Sequence, residues 1–126
     1  MKVLVTHWIP GDGLDGIKTR HEVITPPDGV LNFTREQILE KIADSDAVLA
    51  GGLMDAEMLN AGKQLKIIAN YGAGYDRVDV AEATKLKIPL TNIPEETCAP
   101  TAEVAFALIL ATSRRVCELD KLIRRD

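Results

Sequence analysis

Only two cysteines, Cys98 and Cys117, and two histidines, His7 and His21, occur in the 126-residue sequence. Their spacing matches no compact zinc pattern, so no metal site is expected. Two thiols so far apart suggest no disulfide framework and suit a reducing compartment, and a cytoplasmic protein is expected. No apolar run is long enough to span a bilayer. The start, Met1-Lys2-Val3-Leu4-Val5, lacks a signal-peptide layout and reads as a first strand. Basic residues are not in excess either: 15 Lys and Arg stand against 19 Asp and Glu, a formal charge of -4. That balance gives no electrostatic reason to expect nucleic acid or an anionic membrane as a partner.

Apolar residues are plentiful at 46%, with 27% charged, which suits one domain with a real core. Lys2–His7 is a short β-branched run ending at the turn signal Ile9-Pro10-Gly11. A short helix over Leu14–Thr19 and a strand over Arg20–Thr25 follow, closed by Pro26-Pro27-Asp28-Gly29. Thr34, three residues before Gln37, forms a capping box for a helix whose Ile38, Leu39 and Ile42 share one face. Strands are expected at Asp46–Ala50, Leu65–Ala69 and Ile88–Thr91. Helices are expected from Asp55 through Leu59, closing near Gly62, and at Val78–Lys85. The strand runs do not alternate and are separated by helices, which is how parallel strands buried on both faces read. The expected fold is therefore α/β: a flavodoxin-like, doubly wound, parallel five-stranded sheet in the order 2-1-3-4-5. No internal repeat, low-complexity tract or linker interrupts it.

Ligands of such sheets bind beyond the carboxyl ends of the strands, which selects the loops at His7–Asp12, Gly51–Met54, Asn70–Asp76 and Asn92–Cys98. Gly72-Ala73-Gly74 is the most informative. Two glycines around a small residue leave backbone amides bare, a concavity suited to a carboxylate. A tight turn without a ligand has the same composition. A dinucleotide fingerprint would need a third glycine at position 77, which is Arg77. Asp76 and Asp79 suit capping of the next helix. His7 stands where a donor to substrate would be useful, or is a polar strand end. Cys98 is a helix-start thiol or a small buried residue.

The last segment is unusual. A single long helix is expected from about Ala99 to Arg124, apolar on every side over Val104–Ala111 and therefore enclosed there. Beyond that, Thr112, Val116, Leu119, Leu122 and Ile123 form one stripe. About 25 helical residues extend about 37 Å, more than a small domain needs, so the outer half is expected to pack on something else.

The succession Asn70-Tyr71-Gly72-Ala73-Gly74-Tyr75-Asp76-Arg77-Val78-Asp79, then Ala83, Ile88-Pro89, Thr91-Asn92-Ile93-Pro94, Thr101-Ala102-Glu103 and Arg114-Arg115 resembles the D-isomer-specific 2-hydroxyacid dehydrogenases. The resemblance runs from about Asp46 to the end of the chain. It implies a two-domain parent that reduces small 2-keto acids with NAD or NADP. Residues 1–98 correspond to its flavodoxin-like substrate domain. Residues 99–126 correspond to a helix that packs on that domain and projects toward the interdomain hinge and a homodimer contact. By the same resemblance the backbone amides of Ala73 and Gly74 bind the substrate carboxylate, and Thr101, in the segment Thr97–Glu103, lies on the nicotinamide side; Tyr71, Gly72 and Leu53 are expected to bind substrate beside them.

The family's catalytic Arg, Glu and His stand in or after its Rossmann domain, and no residue here matches them. No catalytic residue is therefore assigned, no cofactor is expected to be held by this chain alone, and turnover by it is not expected. The missing return helix would leave an apolar patch. A non-enzymatic module that self-associates through its last helix is the competing reading. A signalling receiver is disfavoured because His7-Trp8 and Gly51-Gly52 stand where such domains need acids. The segment Asp46–Asn60 has no Lys or Arg, favouring an unphosphorylated keto acid, with Leu53 and Met54 lining an apolar side-chain pocket.

Overall fold

Strand β1 (Lys2–Val5) is the first element of the computed structural model, which describes residues 1–125; Asp126, the last position of the expected 99–126 segment, lies outside the described residues. The chain forms two compact units, Met1–Ile93 and Pro94–Asp126. In the first, β1 is followed by α1 (Asp15–Lys18), β2 (Glu22–Ile24), α2 (Arg35–Ile42), β3 (Ala47–Ala50), α3 (Ala56–Ala61), β4 (Ile67–Asn70), α4 (Val80–Lys85) and β5 (Leu90–Thr91). All strand pairs are parallel and the order is β2-β1-β3-β4-β5, as the sequence pattern requires. The elements are shorter than expected at their ends: β2 has three residues and β5 two.

Alternation along each strand divides the apolar residues between two faces. Leu4, Val48 and Ile68 turn toward α2, α3 and α4, where they join Ile42, Met58 and Leu59 in the larger core. Val3, Val5 and Ala47 turn the other way and meet Leu14 and Ile17 at α1. That second face is thinner, and an apolar cavity of about 260 Å³ opens between Val3, Ile17, Leu49, Ile67 and Ala69. The capping box forms as expected: Thr34 Oγ1 accepts from the Gln37 amide at 3.3 Å, and Gln37 Oε1 accepts from the Thr34 amide at 2.9 Å.

Helix α4 ends in a Schellman arrangement. Ile88 N–H donates to Ala83 O and Lys87 N–H to Thr84 O, which places Lys87 in the left-handed region at φ 58°.

The second unit corrects the expectation of a single long helix. It holds two, α5 (Cys98–Ser113) and α6 (Val116–Ile123), broken where Arg115 turns left-handed at φ 54°. Ser113 Oγ donates back to Leu110 O at 3.2 Å, a side-chain bond that competes with the helical ladder at the break. The Arg115 guanidinium then pairs with Glu118 in the first turn of α6. No residue of α5 or α6 is buried, so Val104, Phe106, Leu108, Ile109 and Leu110 are exposed where enclosure was expected. Taken by itself, this unit has too little chain to enclose an all-round apolar helix.

Candidate functional site

The crevice at the carboxyl ends of β1 and β3 is where the strand order reverses, because β2 lies on one side of β1 and every later strand on the other. Thr6 closes its base: its amide donates to Leu49 O at 3.0 Å, and its hydroxyl oxygen accepts from the Gly51 amide at 3.0 Å. His7 follows, with its ring over Gly51, where a Cβ would overlap the imidazole. The same ring lies beside Tyr71. Neither imidazole nitrogen has a hydrogen-bond partner, and burial pushes the His7 pKa below its ordinary value.

The loop after β4 is the best organised element of the crevice. Asn70 is buried and sends its side-chain amide to two carbonyls, Gly72 O at 3.0 Å and Gly74 O at 2.9 Å. Asn92, just beyond β5, donates to Ala73 O at 2.8 Å, and Ile93 N–H donates to Gly72 O at 3.0 Å. All three loop carbonyls are thereby bonded to the scaffold. The amides of Ala73, Gly74 and Tyr75 meet no acceptor among the described residues. Gly72 has φ 156° and Gly74 leaves room for the Asp76 carboxylate, which a Cβ there would crowd at 3.0 Å. Bare amides held rigidly at a strand end suit an anion, because their dipoles need no reorganisation when it arrives.

The residues singled out from sequence separate here. Tyr71, Gly72, Ala73, Gly74 and Leu53 all lie in the first unit, on the loops after β4 and β3; Tyr71 and Leu53 are about half exposed, at 49% and 50%. Met54 does not line a side-chain pocket. It is fully buried in the core, its amide donating to Arg77 O at 3.0 Å and its carbonyl accepting from Asp79 N–H at 2.9 Å. These bonds form a short parallel bridge between Met54 and Val78 that points Met54 inward. Thr101 belongs to the second unit, exposed in the first turn of α5. Cys98 begins that helix, exposed, with Sγ 2.9 Å from Pro94 O, not buried. Asp79 caps α4 by accepting from Glu82 N–H at 2.9 Å; Asp76 does not cap it. Sequence reasoning gave Asn70 and Asn92 no role, although an asparagine entering a glycine turn is a signal for side-chain-to-backbone bonding.

A dinucleotide does not fit this loop. Its pyrophosphate needs free amides at a helix start, and the start of α4 is already occupied by the Asp79 carboxylate. Among the described residues no three metal-ligating side chains gather, and no helix is long and apolar enough to cross a membrane.

Comparison with known proteins agrees with this fold. Residues 3–119 match the family model for the catalytic domain of D-isomer specific 2-hydroxyacid dehydrogenases. The chain is 42% identical over 125 residues to a glyoxylate reductase of Thermococcus onnurineus, covering 98% of this chain and 37% of that protein. Among solved structures it is similar to the TT0316 protein of Thermus thermophilus, with a TM-score of 0.80 and 32% identity over 98% of this chain and 40% of the other. It is also similar to an NADPH-dependent glyoxylate/hydroxypyruvate reductase of Sinorhizobium meliloti, with a TM-score of 0.76 and 25% identity over 98% of this chain and 38% of the other.

Proposed function

The chain belongs to the D-isomer specific 2-hydroxyacid dehydrogenase family, and from that premise we propose that it is the part of a 2-keto acid reductase that grips the substrate carboxylate. The observation that carries this reading is the division of labour in one loop: the carbonyls of Gly72, Ala73 and Gly74 are bonded to scaffold groups, and the amides of Ala73, Gly74 and Tyr75 are free. A carboxylate there accepts charge-assisted hydrogen bonds without displacing a protein partner. Tyr71 and Leu53 are assigned to the same substrate site. The relatives named as glyoxylate reductases make glyoxylate the first ligand to try.

In the whole enzyme NAD or NADP supplies the hydride that reduces the keto carbon. The loop after β4 does not suit its pyrophosphate, and the role we assign to this chain is to fix the acid and orient its carbonyl. On its resemblance to the family, Thr101 is assigned to the nicotinamide side. The chain alone is expected to bind keto acid and not to turn it over. Titrating glyoxylate into the 15N-labelled chain should shift the Ala73, Gly74 and Tyr75 amides before any others. Saturating glyoxylate without movement of those three would end this assignment, and NADH oxidation by the chain alone would end the claim that it only binds.

A second reading draws on a different observation. Phe106, Leu108, Leu122 and Ile123 are each more than 60% exposed, an apolar surface that self-association would cover. A homodimer through α5 and α6 predicts a doubled mass in sedimentation, reversed by Leu122→Glu with Ile123→Glu. A monomer at high concentration excludes it.

A further inference from the structure

Three aspartates in this chain are followed by glycine: Asp12-Gly13, Asp15-Gly16 and Asp28-Gly29. At such a bond the glycine backbone nitrogen can attack the preceding side-chain carboxyl, because no Cβ shields it. The N–Cγ bond forms, the Cγ–OH bond breaks and one water leaves, giving a five-membered succinimide. Water then reopens the ring at either carbonyl. Opening at the original main-chain carbonyl leaves the chain running through the aspartate side chain, an isoaspartyl link one backbone atom longer. By sequence the three bonds are alike. In the fold they are not.

Ring closure needs rotation about the aspartate Cα–C bond, so every hydrogen bond spanning that bond resists it. Asp15 and Gly16 lie in α1. Ile17 N–H and Lys18 N–H donate to Leu14 O at 3.0 and 2.9 Å, and Thr19 N–H donates to Asp15 O at 3.1 Å. Turning the Asp15–Gly16 link disrupts all three. Asp12–Gly13 is spanned by one bond, Asp15 N–H to Asp12 O at 2.9 Å, and is held by packing as well. A Cβ on Gly13 would lie 2.9 Å from Ile9 Cγ2, and the next residue, Leu14, is buried in the thinner core.

Asp28–Gly29 has neither restraint. Residues 27–32 are all exposed, and a Cβ on Gly29 would meet nothing within 4 Å. One bond closes the turn, Val30 N–H to Pro27 O at 3.0 Å, and the Gly29 amide meets no acceptor among the described residues. We propose that Asp28 is the residue at which this protein forms isoaspartate, a site for the class of methyltransferase that recognises isoaspartyl carboxylates. Beyond the turn, Trp8 N–H donates to Leu31 O at 2.7 Å and Phe33 N–H to Thr6 O at 3.1 Å. These bonds anchor the chain to the end of β1, so the added atom is absorbed within the turn and the fold survives it.

The test is ageing of the folded chain in warm neutral buffer, followed by tryptic mapping. Peptide 21–35 holds Asp28 as its only aspartate, and peptide 3–18 holds Asp12 and Asp15. The product is an isomer of unchanged mass that elutes apart from its parent. It also accepts a methyl group from S-adenosylmethionine in the presence of an isoaspartyl methyltransferase. Peptide 21–35 should carry about tenfold more of it than peptide 3–18, the scale on which one extra broken hydrogen bond slows a reaction. In urea the three bonds lose their different surroundings, and the excess should vanish.

Asp28→Glu, whose ring closure would be six-membered, should remove the product from peptide 21–35. Asp28→Asn should speed its formation, because an amide leaves as ammonia where an ionised carboxylate must first take up a proton. Equal product in the two peptides of the folded chain, or product in peptide 3–18 alone, would overturn the proposal. So would no product in the folded chain while the urea sample reacts. An excess that persists in urea would overturn it too, since local sequence and not the fold would then set the site.

Discussion

His7 and Tyr71 stack across the mouth of the crevice, ring centroids 4.7 Å apart and planes tilted by 42°. The contact joins the end of β1 to the start of the amide loop, and it exists because Gly51 beneath the imidazole has no side chain. His7 thereby gains packing and loses water, and its nitrogens gain no partner. An imidazole so placed is better neutral than charged.

That environment gives the stability of the fold a defined pH dependence. The folded chain holds His7 below its ordinary pKa of 6.5, so on acidification the unfolded chain takes up the proton first. The His7 contribution is whole above the unfolded value and is lost as pH falls toward the folded one. Asp55, drawn below its ordinary 3.8 by Arg35 and the Met58 amide, loses its contribution only at more acid pH. Urea midpoints should therefore fall between about pH 7.5 and about pH 5.5, and His7→Phe, which keeps the stack, should flatten that fall. An equal fall in both proteins would mean that another group is responsible.

Gly51→Ala drives a methyl group into the His7 ring. The imidazole must swing off Tyr71, at a cost of about 1–3 kcal/mol. Adding His7→Ala should recover most of the loss, since the overlap is then gone. A double variant no better than Gly51→Ala would show that the backbone, not the ring, is disturbed. Denaturant unfolding of the four proteins supplies the cycle.

The two asparagines should differ in weight. Asn70→Ala removes two hydrogen bonds, leaving Gly74 O without its donor while Gly72 O keeps the Ile93 N–H, and Asn92→Ala removes one. Buried Asn70 is expected to cost about 1–3 kcal/mol in stability, with glyoxylate affinity falling further than for Asn92→Ala. Unchanged affinity in Asn70→Ala would show that the loop holds its amides without help.

Lys87 occupies the left-handed position that ends α4. Its side chain makes no hydrogen bond or ion pair among the described residues. Lys87→Gly should raise stability by about 1 kcal/mol, seen as a higher urea midpoint with an unchanged slope. A lower midpoint would mean that the lysine side chain contributes a contact worth more than the backbone strain.

Local chemistry was readable from the chain. Thr34 three residues ahead of Gln37 specifies a capping box, Asp79 specifies a cap, and Gly72-Ala73-Gly74 specifies open backbone, because each depends on neighbours a few bonds away. The break at Arg115 was less legible, since Ser113 and Arg114 are compatible with a continuing helix. The burial of Met54 beside an exposed Leu53 was hidden too, because it depends on a bridge to Val78 from another loop.

The sequence by itself determined the kinds of element, their order and the parallel sheet. Periodicity and turn residues act over short spans, and helical crossovers leave parallel strands little choice. Only the tertiary structure decided which groups face one another: Asn70 and Asn92 on the loop carbonyls, His7 on Tyr71, the Arg77 carbonyl on the Met54 amide. Those pairings depend on strand register, and register is set by the whole packed sheet, not by any segment alone.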